Sequence, residues 1–170
     1  PYAFDAEAAA KLLDDAGIVD TNGDGIRELD GQEVVLHYVT YPNRCLNDFA
    51  EAIQQQLASV GIGVDLEIGD SARQWDSYQS GDFDLNGSNW TTVGAGDPTE
   101  YLAAWCSTSG ANYCGYKNEE YDALYDQLSS TFDGGARRDI IQRMQQILID
   151  DAAVVVHGYY NSSMISRNAT

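Results

Sequence analysis

The 170-residue sequence predicts a three-layer α/β domain, in which helices flank a mixed, largely parallel sheet. Helical and strand patterns follow one another in the order α-β-α-β-α-β-α-α-α-β, and strands joined through helices are typical of parallel sheets. The helical patterns repeat apolar residues about every 3.6 positions, whereas one strand alternates apolar and polar residues. Since no repeat or linker interrupts this order, we expect residues 1–170 to form a single α/β lobe.

The first half of the chain contains two helix–strand units. Asp5 offers an N-cap for a helix over residues 6–16, and a strand is expected over 33–40. Residues 45–60 carry the clearest helical pattern, with one continuous apolar face. Residues 62–69 then alternate apolar and polar side chains, which is typical of a half-buried strand.

The second half adds one more strand and then becomes mostly helical. Helices are predicted to begin at or near Ser71, Tyr101, Asn118 and residue 134. Ser71 and Gln74 read as a capping box, and residues 83–90 between the first two helices can form a strand. Residues 153–157 are almost wholly apolar, which indicates a central strand covered on both faces.

Residues 20–31 begin like a calcium-binding loop but do not end as one. Asp20, Asn22 and Asp24 offer oxygen atoms at loop positions 1, 3 and 5. Position 12, where a bidentate Glu would be needed, is Gly31. We therefore expect a polar turn and predict no metal site, with a loosely held calcium ion as the alternative.

Charge and composition exclude several classes of function. Nine basic and 27 acidic residues give a net charge of −18, which repels phosphate backbones and argues against nucleic acid as a partner. This acidity favours a salty or extracellular habitat. No G-x-S-x-G, P-loop or H-E-x-x-H motif occurs, so we predict no enzyme. An extracellular hydrolase domain that uses a carboxylate pair is the alternative from another class.

Five segments, in a fixed order, carry motifs that occur together in one protein family. The first is the helix FDAEAAAKLLDDAG followed by DTNGDGIR, and the second is the helix–Gly–strand unit over 46–68. The third runs from Trp75 through GDFDL to Trp90 and on to Asp97-Pro98. The fourth is NYCGYKNEEYDAL, and the fifth covers 137–160. Together they resemble the extracytoplasmic solute-binding proteins of ABC importers, the peptide- and nickel-binding family called bacterial extracellular solute-binding protein family 5.

The resemblance implies a fold, a function and a location. It implies that this chain is the C-terminal lobe of a larger, two-lobed protein with a type II periplasmic-binding-protein-like fold. That protein would capture short peptides for import, or nickel or a metal chelate as the alternative within the family, without a cofactor. It would work with ABC permease subunits, in the periplasm or as a cell-surface lipoprotein. Its lipid anchor would lie outside this chain.

Candidate ligand-binding residues follow the strands. In open α/β sheets, ligands bind beyond the carboxyl ends of strands, which here means residues 41–44, 70–71 and 89–97. The resemblance places a Trp of the binding segment at Trp90. The predicted ligand-binding residues are Tyr41, Arg44, Asn89, Trp90, Thr91 and Thr92. Trp90 is either a stacking surface or a core aromatic, and Arg44 either pairs with a ligand carboxylate or is a solvated charge.

Peptide-binding members of the family place an Asp shortly after this Trp to hold the peptide amine. The present sequence offers Thr92 or Val93 there, so that contact is not expected. No His follows in this loop to support nickel binding.

The cysteines predict a small disulfide ring. Cys106 and Cys114 are separated by a flexible segment of small and polar residues that allows closure. Dipeptide-binding members of the family carry a cysteine pair nearby, and two unpaired thiols are the alternative. Cys45 is left over and is expected to be a small, partly buried side chain.

Overall fold

The computed structural model describes residues 3–93 and 96–159. The elements are α1 (Ala6–Asp15), β1 (Glu28–Leu29), β2 (Gln32–Glu33), β3 (Val35–Thr40), α2 (Leu46–Ala58), β4 (Gly63–Ile68), α3 (Ser71–Ser80), β5 (Leu85–Asn86), α4 (Thr99–Ala103), α5 (Glu119–Ser130) and α6 (Gly134–Asp150). Among these residues no helix is long and apolar enough to cross a bilayer.

The central sheet is parallel and has the strand order β4-β3-β5. Tyr38, Val39 and Thr40 of β3 are each at most 3% exposed. Because successive side chains of a strand point to opposite faces, both faces of this strand end are covered. The connection through α2 leads from β3 to β4 on one side, and the connection through α3 leads from β4 back past β3 to β5 on the other side. Because such crossovers between parallel strands are right-handed, the two helices lie on opposite faces of the sheet. The predicted three-layer α/β architecture is confirmed.

A short hairpin before the sheet was not expected. β1 and β2 pair antiparallel, with Leu29 opposite Gln32. Asp30 and Gly31 make the turn with φ values of 53° and 78°. Two consecutive positive φ values are what a type I′ turn requires, and Asp-Gly is among its preferred sequences. The predicted strand at 33–40 is therefore the second arm of a hairpin followed by β3.

The last three helices enclose a core of their own. Ten buried residues form it, with four of them completely inaccessible: Leu102, Ala104, Trp105, Cys106, Tyr121, Leu128, Ile140, Met144, Ile147 and Leu148. The Tyr121 hydroxyl donates a hydrogen bond of 2.9 Å to the Leu102 carbonyl, which ties α5 to α4. Within this core the Tyr121 hydroxyl has a hydrogen-bond partner, whereas the buried Trp105 indole N–H has none among the described residues.

The helix caps show where local sequence signals hold. Asp5 and Asn118 accept hydrogen bonds from the backbone N–H groups of Ala8 and Tyr121, as predicted. The prediction of a capping box formed by Ser71 and Gln74 is wrong. Asp70 caps α3 instead, by accepting from two backbone N–H groups, and Gln74 is turned inward. Ser71 is therefore the first residue inside the helix.

Two predicted strands are corrected by the structure. The strand expected over 83–90 is reduced to Leu85–Asn86, because the chain leaves β3 after Gly87. Residues 153–157 form no strand, and Val155 and Val156 are 71% and 50% exposed. Their apolar composition suited a central strand, but no strand among the described residues lies beside them. The His157 ring stacks on Phe49 of α2 instead, with 5.2 Å between ring centroids.

The predicted disulfide between Cys106 and Cys114 is not formed, and all three cysteines are free. Cys106 is turned into the helical core, where burial raises the pKa of its thiol to about 11. Cys114 is exposed, with its sulfur 3.3 Å from the Asn112 side-chain oxygen. Because the two thiols point to opposite environments, the ring stays open. Cys45 is exposed rather than partly buried.

Candidate ligand-binding site

The carboxyl ends of the three parallel strands are joined edge to edge. The Gly69 N–H donates to the Thr40 carbonyl, and the Gly87 N–H donates to the Val39 carbonyl, each at 2.9 Å. The Thr40 hydroxyl donates to the Gly87 carbonyl at 3.1 Å. The segments that leave β3, β4 and β5 therefore emerge side by side, as the rule for open α/β sheets requires.

Gly87 makes this close approach possible. A Cβ atom at this position would lie 2.6 Å from the Thr40 hydroxyl oxygen and 3.0 Å from the Tyr38 hydroxyl. Both neighbours belong to the buried end of β3 and cannot easily move. The position therefore needs glycine for lack of space, and the chain after it is held against the sheet.

A pocket of about 520 Å³ opens at this edge of the sheet. Its lining comes from the segments after all three strands and from α3 and α4: Tyr41, Ser71, Gln74, Trp75, Ser88, Asn89, Trp90, Thr91 and Glu100. The volume lies within the range of ligand sites, roughly 300–1,000 Å³.

Trp90 is fixed by aromatic neighbours and still open to the pocket. The rings of Tyr78 and Tyr101 meet it in edge-to-face geometry, at centroid distances of 6.2 Å and 5.6 Å. Its side chain remains 42% exposed. The alternative of a core aromatic is therefore wrong, and Trp90 is positioned as a rigid surface.

Trp75 provides a second aromatic surface on α3. It packs against Tyr78 and Tyr113, at centroid distances of 5.8 Å and 6.1 Å, and is 47% exposed. Tyr78 thus lies between the two tryptophans and supports both. Burial raises the pKa of the Tyr78 hydroxyl to about 12, so it is protonated at neutral pH.

Amide side chains supply the polar part of the lining. The Asn89 amide donates to the Tyr41 hydroxyl at 3.2 Å, which links the segments after β5 and β3. The buried Gln74 donates to the Asn86 side-chain oxygen at 2.5 Å. Two residues of the lining are therefore oriented by hydrogen bonds, which is what a preformed site needs.

The pocket is nearly free of formal charge. Among its described lining residues, Glu100 alone is charged, and none is a cation, a His or a Cys. The Arg137 guanidinium donates a hydrogen bond of 2.7 Å to the Asp97 carboxylate, and Arg137 lies outside the lining. Asp97 also accepts a hydrogen bond from the Thr99 N–H at 2.9 Å.

Four of the six predicted binding residues line the pocket, and two do not. Tyr41, Asn89, Trp90 and Thr91 are in the lining. Thr92 and Arg44 are outside it. Arg44 is exposed in the tight bend before α2, with φ of 51°.

Sequence reasoning missed Gln74, Trp75, Ser88 and Glu100. The first two lie on the first turns of α3, directly after β4. The strand-end rule could have found them had it been extended one helical turn.

The polar turn at 20–31 is organised by its own backbone. The Asp20 carboxylate accepts from the N–H groups of Gly23 and Gly25, and the first of these contributes most to lowering the pKa of Asp20. Oxygens of Asp20, Asp24 and Glu28 approach within 4.8 Å of one another. The Glu28 carboxylate accepts a hydrogen bond of 2.7 Å from the Thr21 N–H. These contacts are those of a self-supporting turn, which is the role that the sequence predicts.

Residues 1–113 match the family model described as bacterial extracellular solute-binding proteins, family 5 Middle. The chain is 27% identical over 166 residues to the oligopeptide-binding protein AppA of Bacillus subtilis (strain 168), covering 96% of this chain and 31% of AppA. It is 34% identical over 110 residues to the probable D,D-dipeptide-binding periplasmic protein DdpA of Escherichia coli (strain K12), covering 62% of this chain and 21% of DdpA.

Solved structures give the same result in three dimensions. A periplasmic oligopeptide-binding protein of Thermotoga maritima, bound to mannohexaose, superposes with a TM-score of 0.77 at 26% identity, covering 89% of this chain and 30% of that one. NikA from Brucella suis, in complex with Fe(III)-EDTA, has a TM-score of 0.71 at 26% identity, covering 89% and 31%. AppA with a nonapeptide has a TM-score of 0.67 at 25% identity, covering 87% and 30%. The chain spans less than a third of the length of each of these relatives.

Proposed function

The chain belongs to the family 5 bacterial extracellular solute-binding proteins, and we propose that it is one ligand-binding lobe of an ABC importer's receptor, which captures short peptides. The observation that carries this proposal is the pocket at the carboxyl ends of β3, β4 and β5, built around Trp90. Curated relatives named as oligopeptide- and dipeptide-binding proteins support the peptide class.

One lobe would supply one wall of the complete site. The chain covers 31% of AppA, so a second wall would come from the rest of a longer receptor. Two-lobed receptors close around their solute by a hinge motion, and both walls then bury it. This lobe alone should therefore bind a solute more weakly than the complete receptor. The receptor would act outside the cytoplasm, held near the ABC permease by a lipid anchor elsewhere in the protein.

Nickel or a metal chelate is less well supported as the solute. NikA shows that a structural relative can carry a metal chelate. In the present chain, however, the described lining of the pocket has no His or Cys and a single carboxylate, Glu100. The imidazole and thiolate ligands that transition metals prefer are therefore missing from this wall. A hydrolase with a carboxylate pair is disfavoured for the same reason, since Glu100 has no second carboxylate beside it in the lining.

Calorimetry on the product of the complete gene, with a panel of short peptides, tests the proposal. We expect binding without turnover of any peptide, and weaker binding in Trp90→Ala by about tenfold or more. Phe132→Ala is the matched control, because Phe132 is an aromatic residue that is 92% exposed and outside the pocket. Hydrolysis of the peptides, or equal affinity of the wild type and Trp90→Ala, would contradict the proposal.

A further inference from the structure

The chemistry of the pocket bears on a question that family membership leaves open, namely the class of solute. Related solved structures are complexes with a nonapeptide, a metal chelate and an oligosaccharide. The inference below rests on the proposed function, in that the pocket must be a solute site.

Two tryptophans give the wall large apolar surfaces that are already in place. Trp75 and Trp90 are 47% and 42% exposed, and Tyr78 packs against both at 5.8 Å and 6.2 Å. Tyr101 supports Trp90 from another side at 5.6 Å. Such rings lose little side-chain freedom on binding, because neighbouring rings already hold them. A rigid, flat, apolar ligand surface is what they fit best, and the C–H face of a pyranose ring is such a surface.

The polar side chains of the lining suit hydroxyl groups. Asn89 carries an amide, and Ser71, Ser88 and Thr91 carry hydroxyls. Each of these groups both donates and accepts hydrogen bonds, as sugar hydroxyls do. The Glu100 carboxylate can accept from hydroxyls as well. Hydroxyls on the rim of a sugar ring would therefore find both donors and acceptors on this wall.

Charge separates the possible solutes. The described lining contains no cation to neutralise a peptide carboxylate or a phosphate, and the chain carries a net charge of −18. Burying an anion here would cost desolvation energy without a compensating ion pair. The negative field also repels anionic solutes as they approach. A neutral solute incurs neither cost.

We propose that this pocket binds a pyranose ring of a neutral oligosaccharide, stacked on Trp90 or Trp75, so that the receptor's solutes include oligosaccharides. Peptides are the competing class, and the two classes are separated by the same experiment.

Titration calorimetry on the product of the complete gene, with short neutral manno- and gluco-oligosaccharides beside the peptide panel, tests this. We expect a neutral oligosaccharide to bind, Trp90→Ala to weaken it by at least about tenfold, and Trp90→Phe to restore part of the loss. Phe132→Ala should bind as the wild type does. Oligosaccharides that carry uronic acids should bind more weakly than their neutral counterparts.

The outcomes separate this inference from the proposed function. Binding of peptides alone overturns the inference and leaves the receptor proposal standing. Binding of oligosaccharides that Trp90→Ala and Trp75→Ala both leave unchanged overturns the assignment to this pocket. Binding of neither class, by a protein whose circular dichroism and thermal transition show it to be folded, overturns both.

Discussion

Two regions of the molecule bury their apolar side chains to different extents. In the helical half, residues 99–151, four large side chains are completely buried: Leu102, Tyr121, Leu128 and Met144. In the sheet half, residues 35–93, several large apolar residues are about half exposed: Val35 at 46%, Ile68 at 43%, Trp75 at 47%, Trp90 at 42% and Val93 at 52%. The helices enclose their own core, whereas the sheet leaves one edge open.

This difference separates stability from binding. Buried apolar surface stabilises a fold by roughly 25 cal/mol per Å², and the helical half contains the larger part of it. The most buried side chains of the sheet half include the polar residues Thr40, Gln74 and Ser77, which hold segments in place rather than fill a core. Binding residues can be exposed at the sheet edge because the helical half maintains the fold. The variants below test that division.

Met144→Ala in the helical half should have the largest effect on stability. Met144 is fully buried, so its truncation leaves a cavity and should lower the unfolding free energy by about 2–5 kcal/mol. Urea denaturation measures this loss. The affinity of the folded fraction for solute should not change.

Met144→Leu is the control, because a swap that conserves volume usually costs less than about 1.5 kcal/mol. A loss for Met144→Ala as small as that of the control would mean that the helical half is not the main source of stability.

Gly87→Ala in the sheet half should lower both stability and affinity. The added methyl group would clash with the Thr40 hydroxyl, and overpacking of this kind costs about 1–3 kcal/mol. The strand end that carries Asn89 and Trp90 would shift, so the solute should bind more weakly. Urea denaturation and titration calorimetry measure the two effects.

Gly110→Ala is the matched control, since a Cβ atom at Gly110 would meet nothing within 4 Å. If Gly87→Ala destabilised the fold but bound solute as the wild type does, the strand ends would not position the pocket.

One helix cap in each half tests the same separation of stability from binding, with smaller expected losses of stability. Asp70 caps α3 and Asp133 caps α6, each by accepting from backbone N–H groups. Replacement of either by Ala should cost about 1 kcal/mol of stability. Only Asp70→Ala should also weaken solute binding, because α3 carries Gln74 and Trp75. Equal affinities for the two variants would show that α3 does not need its cap to present these residues.

Local signals in the sequence predicted what local structure decides. The caps at Asp5 and Asn118 and the turn after α1 follow from a few neighbouring residues, and they were predicted correctly. The hairpin turn at Asp30-Gly31 also has a local signal, which the expectation of a single strand obscured. The strand-end rule pointed to the segment 89–97, and the family resemblance singled out Trp90 within it.

Long-range packing decided what the sequence could not. The spacing of Cys106 and Cys114 allowed a ring, but Cys106 is drawn into the helical core by its neighbours on α4 and α5. Residues 153–157 have the composition of a buried strand, which says nothing about where a partner strand lies. Glu100 lines the pocket from α4, where the ring of the neighbouring Tyr101 packs against Trp90 of the segment after β5. Such positions depend on tertiary contacts, which periodicity does not encode.

The smallest effect concerns acid stability, where each half contributes one carboxylate. In the helical half, hydrogen bonds from Tyr116, at 2.6 Å, and from Asn118 lower the pKa of Asp151 below 3.8. In the sheet half, the Arg73 guanidinium, followed by His37, lowers the pKa of Glu67 below 4.5. A depressed pKa contributes stability above the pKa of the unfolded chain, and this is lost as the pH falls through the folded value. Asp151→Asn and Glu67→Gln should therefore melt below the wild type at neutral pH, and the gaps should close in acid.

Salt distinguishes the two carboxylates, and thermal melts across pH at low and high salt measure this. The Glu67–Arg73 pair is more than a third exposed on both sides, so salt should screen it and shrink the Glu67→Gln gap. The Tyr116 and Asn118 donors to Asp151 are neutral, and their hydrogen bonds should respond less to salt. The general repulsion within a chain of net charge −18 also weakens in acid and in salt, but it does so in the wild type and both variants. The differences from the wild type therefore isolate the two carboxylates. The contrary result would be a melting-temperature difference for Asp151→Asn that shrinks with salt as much as the difference for Glu67→Gln. It would mean that the contribution of Asp151 comes from exposed charge that salt screens.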